Sequence, residues 1–233
     1  SGANKLPCGE FIGSFQPLAY RRNTMPLQNR VNPNGELKAV KSRGAFLGNR
    51  GIIHNDEKEI IAPFKIKGWV TCQLEFKGRK RELMANGRYT ELFFLDEATA
   101  FSAGHRPCAE CRRQRYNEFK EKWLEANQSL LLDNSTSIAN IDKIIHRDRI
   151  NKKQKVTYQD KMHLLPNGTM IEINSIQYLI WNNKVFKWTF EGYEPTNINI
   201  TNSDVTILTP KSYVEMFKKG FTPTVHSSLE EKS

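Results

Sequence analysis

Cys108 and Cys111 are separated by two residues and entered through Gly104-His105-Arg106-Pro107. A tight turn at that spacing aims both sulfurs at one point. The second sulfur then sits at a helix start, where the backbone dipole lowers thiolate pKa. Such a pair forms half of a tetrahedral metal site, and the chain offers Cys72, Cys8 and five histidines for the other half. A redox dithiol would instead follow the first strand of a thioredoxin-like βαβ unit, a setting this pair lacks. The chemistry is that of zinc.

The residues before the pair must position it. Phe93-Phe94-Leu95 reads as a strand end, and Asp96 as the N-cap of a short helix through Ala98, Ala100 and Ala103 that stops at Gly104. This run resembles the zinc-binding N-terminal domain of the Ada family, bacterial proteins that accept methyl groups from alkylated DNA phosphates. The likeness covers residues 89–115, with strand end, alanine-rich helix and Arg-Pro-Cys-x-x-Cys in the same order. It implies bound zinc, contact with DNA rather than RNA, and a role in repair or in recognising damage or modification. The chain departs from the family at Gly51-Ile52-Ile53-His54, where histidine replaces a ligand cysteine and no thiolate stands to accept a methyl group. The ligand set expected here is Cys72, Cys108, Cys111 and His54, with Cys8 or His105 as alternative completions.

Charge points the same way. There are 35 Lys and Arg against 25 Asp and Glu, a formal net charge of +10, which attracts polyanions. The phosphate-binding candidates are Arg79, Lys80 and Arg81 on a turn, Arg106 in the knuckle, and Arg112, Arg113 and Arg115 on the helix leaving it. Gly48-Asn49-Arg50-Gly51 reads as a loop able to offer N–H groups to a phosphate, and residues 147–155 as a flexible basic loop. Hydrophobic content of 38% argues for a folded chain, and no apolar run approaches the roughly 18 residues of a membrane span. Few cysteines, two of them in a knuckle, suggest a reducing, cytoplasmic setting.

The elements predict an α+β fold. Residues 1–45 are irregular, with a turn at Asn34-Gly35. Residues 46–150 form the zinc-knuckle module, and 151–233 a small β-rich module. Two strands are expected between Ile66 and Met84, turning at Lys77-Gly78, and a helix over 109–127 with Tyr116, Phe119 and Trp123 as a packing stripe. A second helix covers 138–146. Beyond it come a strand at 170–173, a hairpin turning at Asn182-Asn183, a strand at 205–208 and a helix over 210–219.

Three functions are open to such a chain. The first is a zinc-stabilised nucleic-acid-binding protein. The second is a hydrolase acting on nucleic acid, a glycosylase or nuclease, with His105, His54, Glu91, Glu97 and His226 as acid–base candidates. His105, beside Arg106, would titrate near neutral pH in that role. The third is a basic protein–protein adaptor with a structural zinc.

Overall fold

A computed structural model describes residues 25–78, 82–131 and 135–229. It is α+β, with two six-stranded sheets and helices packed between and beside them. The first sheet contains β1 (Arg30–Val31), β2 (Leu37–Lys38), β3 (Phe46–Asn49), β4 (Val70–Cys72) and β5 (Leu92–Phe94). Helix α1 (Glu97–Ser102) then leads to β6 (Arg106–Pro107), and the strand order is β2-β1-β5-β3-β4-β6. β1 and β2 arise inside the segment expected to be irregular. Their turn is closed by Gly35 N donating to Asn32 O at 2.8 Å.

Two expectations change here. Gly48-Asn49 is strand rather than phosphate loop, because Gly48 lies against the Phe94 ring, where any Cβ would collide. The turn at Lys77-Gly78 exists, with φ of 54° and 65°, but no second strand follows among the described residues. Both edges of β4 are already taken, antiparallel by β3 and parallel by β6, so a hairpin partner has no edge to join.

Helix α2 (Arg113–Asn127) starts later than expected because residues 109–112 form the turn that holds the sulfurs. Helix α3 (Ile138–Arg149) is capped by Ser137, whose hydroxyl accepts from Asn140 N, and runs three residues past His146. The basic stretch after it is a hairpin, β7 (Ile150–Asn151) and β8 (Gln154–Lys155), not a flexible loop. Side chains at its base fix it: Arg149 donates to Gly104 O at 2.7 Å and Lys155 to Ser102 O at 2.6 Å.

The second sheet comprises β9 (Tyr158–Lys161), β10 (Met170–Ile173), β11 (Ile176–Trp181), β12 (Lys184–Thr189), β13 (Gly192–Pro195) and β14 (Asp204–Ile207), ordered β13-β12-β11-β10-β14-β9. The β11–β12 turn places Asn182 and Asn183 at φ of 48° and 56°, the paired left-handed geometry of a tight hairpin. Helix α4 (Lys211–Lys218) follows.

Helix α1 is the hub of the molecule, and every one of its residues is buried. Phe101 packs with Phe119 and Trp123 of α2, Ile141 and Ile145 of α3, and Tyr213 and Phe217 of α4. Ala98 and Leu95 pack with Met170, Leu179, Trp188 and Tyr193 of the second sheet. The C-terminal elements therefore share cores with the knuckle region. Asp96 caps α1 by accepting from Thr99 N at 2.8 Å. Its other oxygen accepts from Tyr193 Oη at 2.6 Å and His226 N at 3.0 Å.

Candidate metal centre

Parallel pairing of β4 with β6 sets Thr71 opposite Pro107, and Cys108 N donates to Thr71 O at 2.9 Å. One residue further on, Cys72 and Cys108 leave the paired strands side by side. The turn that follows closes with Arg112 N donating to Cys108 O at 3.1 Å and swings Cys111 back toward them. The three sulfurs lie within 4.8 Å of one another, all half-buried and none in a disulfide. Thiolates at zinc-bond length around one tetrahedral ion stand about 3.8 Å apart, a spacing compatible with that grouping.

The electrostatics suit a cation. The Cys72 thiol donates toward Cys108, and the N–H groups of Cys111 and Glu110 add to it, bringing Cys108 down to about 5. Glu110 N approaches Cys108 Sγ at 3.4 Å. Cys72 is pushed up by its hydrogen bond to Cys108 and by burial, and Cys111 is raised by burial and then by the Cys108 charge. One thiolate thus holds two thiols protonated. Cys72, Cys108 and Cys111 would hold a soft dication as thiolates, which would relieve that repulsion with release of protons.

Three of the arginines expected to meet phosphate are held in ion pairs inside the protein. Arg106 is buried and makes a bidentate pair with Asp142 at 2.6 and 2.7 Å. Arg112 and Arg115 converge on Glu97, each at 2.6 Å, and Arg112 also donates to Thr71 Oγ1 at 2.8 Å. Glu97 is buried in α1; desolvation would raise its carboxyl, but Arg115 and Arg112 outweigh that and hold it below its ordinary value. It is a structural anchor, not an acid–base group facing solvent. Arg113 is exposed, while Arg79, Lys80 and Arg81 lie outside the described residues.

The histidines go elsewhere. His54 is buried with Nδ1 at 2.6 Å from Thr90 Oγ1, and it does not join the three sulfurs. His105 is fully buried between Phe94 and Trp69, with ring centroids 4.6 and 5.1 Å away. Desolvation, then the charges of Arg50 and Arg149, push its pKa well below 6.5, so the ring is a neutral packing group at neutral pH. The expectation that it titrates there is overturned by burial. His226 Nδ1 lies 3.0 Å from Ser228 Oγ, in the tail that packs beside Asp96. Cys8 lies outside the described residues, among which the cluster has three ligands.

Glu91 differs from these. It is buried, its Oε2 accepts from Met84 N at 2.8 Å, and its Oε1 has no partner among the described residues. It lines a recess of about 330 Å³ together with Cys72, Cys108 and Cys111. Sequence reasoning named Glu91 without this proximity, which depends on β5 and β4 both flanking β3. Comparison of the chain with protein-family models, curated proteins and solved structures finds no match. No helix among the described residues is long and apolar enough to cross a membrane.

Proposed function

We propose that this chain is a zinc-stabilised nucleic-acid-binding protein. The observation that carries the metal reading is the convergence of Cys72, Cys108 and Cys111 from two paired strands and a turn. Zinc is preferred because three sulfurs from such a knuckle are its usual donors and need no redox change. The metal would fix the end of β6 to the start of α2, and with it the buried pairs around Glu97.

Support for nucleic acid comes from the excess of ten positive charges and from where the free cations lie. Lys67, Lys143 and Arg147 are exposed, form no ion pair among the described residues, and line one recess of about 400 Å³ beside α3. Cations of this kind contact phosphates and give affinity without reading sequence. The test is fluorescence anisotropy with single- and double-stranded DNA and RNA. Affinity should fall by orders of magnitude between about 50 and about 200 mM salt, and Lys67→Ala with Arg147→Ala should flatten that salt slope by about two. No binding to any of these at low salt would defeat the reading.

A second reading rests on Glu91. Three protein ligands among the described residues would leave one metal position, and a metal with a free position would supply Lewis-acid activation of water. Glu91 Oε1, in the same recess, is the group that could hold or move a proton there. On this reading Glu91→Gln keeps metal and fold but abolishes hydrolysis of nucleic acid. A wild-type protein that leaves damaged, modified and undamaged substrates intact would remove it.

A further inference from the structure

Away from the cysteines, a cavity of about 770 Å³ is lined by Arg50, Arg149 and Lys155. Both arginines are only 3% exposed. Their guanidinium carbons stand 4.3 and 3.7 Å from the centre of the Trp69 ring. Every oxygen acceptor they and Lys155 have is a neutral carbonyl: Gly35 O for Arg50, Gly104 O and Lys67 O for Arg149, Ser102 O for Lys155. Their other contacts are neutral imidazoles, His105 for Arg50 and His146 for Arg149.

No carboxylate pairs with any of the three among the described residues, and Arg50 Nη2 and Arg149 Nε are buried without partners. The fold supplies a counter-ion where a buried cation is purely structural, as Asp142 does for Arg106. Here it does not. Two carboxylates line the cavity, and neither forms an ion pair with the three cations among the described residues, although Lys155 feels the Glu172 charge. Glu36 pairs with Lys38 at 3.0 Å, and Glu172 accepts from Asn34 Nδ2 at 2.9 Å.

Unpaired cations held out of water are costly, and their acidities record it. Burial comes first in each case: with the Arg149 charge it lowers Arg50 to about 9, with the Arg50 and Arg149 charges it lowers Lys155 to about 7, and it lowers Arg149 to about 10 although Tyr213 and Asp142 pull the other way. An anion would cancel that cost. Gly35 lines the same cavity at φ +82°, a left-handed geometry that favours glycine, and a Cβ there would make ordinary contact with Arg50 Nη2 at 3.5 Å.

We infer that this cavity binds a phosphate group, contacted by Arg50 and Lys155 with the Arg149 charge behind them. One open guanidinium N–H group beside an ammonium, with a second guanidinium charge behind, suits a dianion such as phosphate better than a singly charged carboxylate. The volume admits either free phosphate or the phosphate of a nucleotide-sized monoester. This site does not depend on binding of nucleic acid to the exposed cations.

The test is calorimetric titration of the full chain with inorganic phosphate and with a nucleoside 5′-monophosphate, at constant ionic strength set by chloride. Saturable binding is expected, at least about tenfold weaker in Lys155→Met and in Arg50→Gln. Phosphate-free Lys155→Met should melt no lower than wild type, because it removes a desolvated charge; a structural lysine would give the opposite. A monophosphate that binds tighter than phosphate identifies a monoester site, and equal affinity a site for the free ion. Absence of saturable binding of either up to about 10 mM by the wild type overturns the inference even if a variant fails to fold, as does wild-type affinity in both variants.

Discussion

Glu97 carries more of the structure than any other single charge near the knuckle. It accepts from Arg112, Arg115 and Thr224 N while only 1% exposed. Glu97→Gln would leave two partly buried guanidiniums without their counter-ion and should cost about 3–5 kcal/mol, read by chemical denaturation. Because the folded carboxyl is held below its ordinary 4.5, its stabilisation is present above that pH and is lost as pH falls through the lower folded value. The gap between wild type and Glu97→Gln should therefore narrow in acid. Gly104 is a second test: its φ is +84° and the Arg149 stem packs where a Cβ would go. Gly104→Ala should cost about 1–3 kcal/mol in the same assay. Gly104 as a helix stop was legible from its neighbours. Its duty to Arg149, 45 residues away, was not, because nothing local encodes it.

At the scale of elements, the pairing of β4 with β6 decides the metal centre. Local pattern revealed the Cys-x-x-Cys turn, the α1 cap at Asp96, the packing stripe of α2 and the hairpin at Asn182-Asn183, all set by spacing within a few residues. Parallel pairing of Val70 with Arg106, 36 residues on, is non-local. The place of Cys72 beside Cys108 could be suggested by sequence but not fixed, and His54 turned instead to Thr90. The fates of the arginines were hidden for the same reason, since their partners Glu97 and Asp142 lie 15 to 36 residues away. If the metal ties β4, β6 and the start of α2 together, chelation should raise amide exchange over 70–72 and 106–113. The cores around Phe101 and Trp188 should stay protected. Equal loss of protection throughout would mean that the centre holds the whole fold.

For the whole molecule, the charge excess and the buried cations set the response to solution conditions. Lys155 is lowered to about 7 from 10.5, by burial, then Arg50 and Arg149, against an opposing pull from Glu172. Between those values the unfolded chain binds a proton that the folded chain does not, so this lysine makes stability rise with pH from about 7 to about 10.5. Lys155→Met should flatten that rise in phosphate-free buffer; an unchanged slope would assign it to other groups. The metal is the first thing to establish. Metal analysis of the purified chain, joined to cobalt substitution, tests for it most directly. About one zinc per chain is expected, with intense thiolate-to-cobalt absorption, and both should be lost in the Cys108→Ser, Cys111→Ser double variant. A folded, metal-free chain whose Cys72, Cys108 and Cys111 all titrate as free thiols would contradict that expectation.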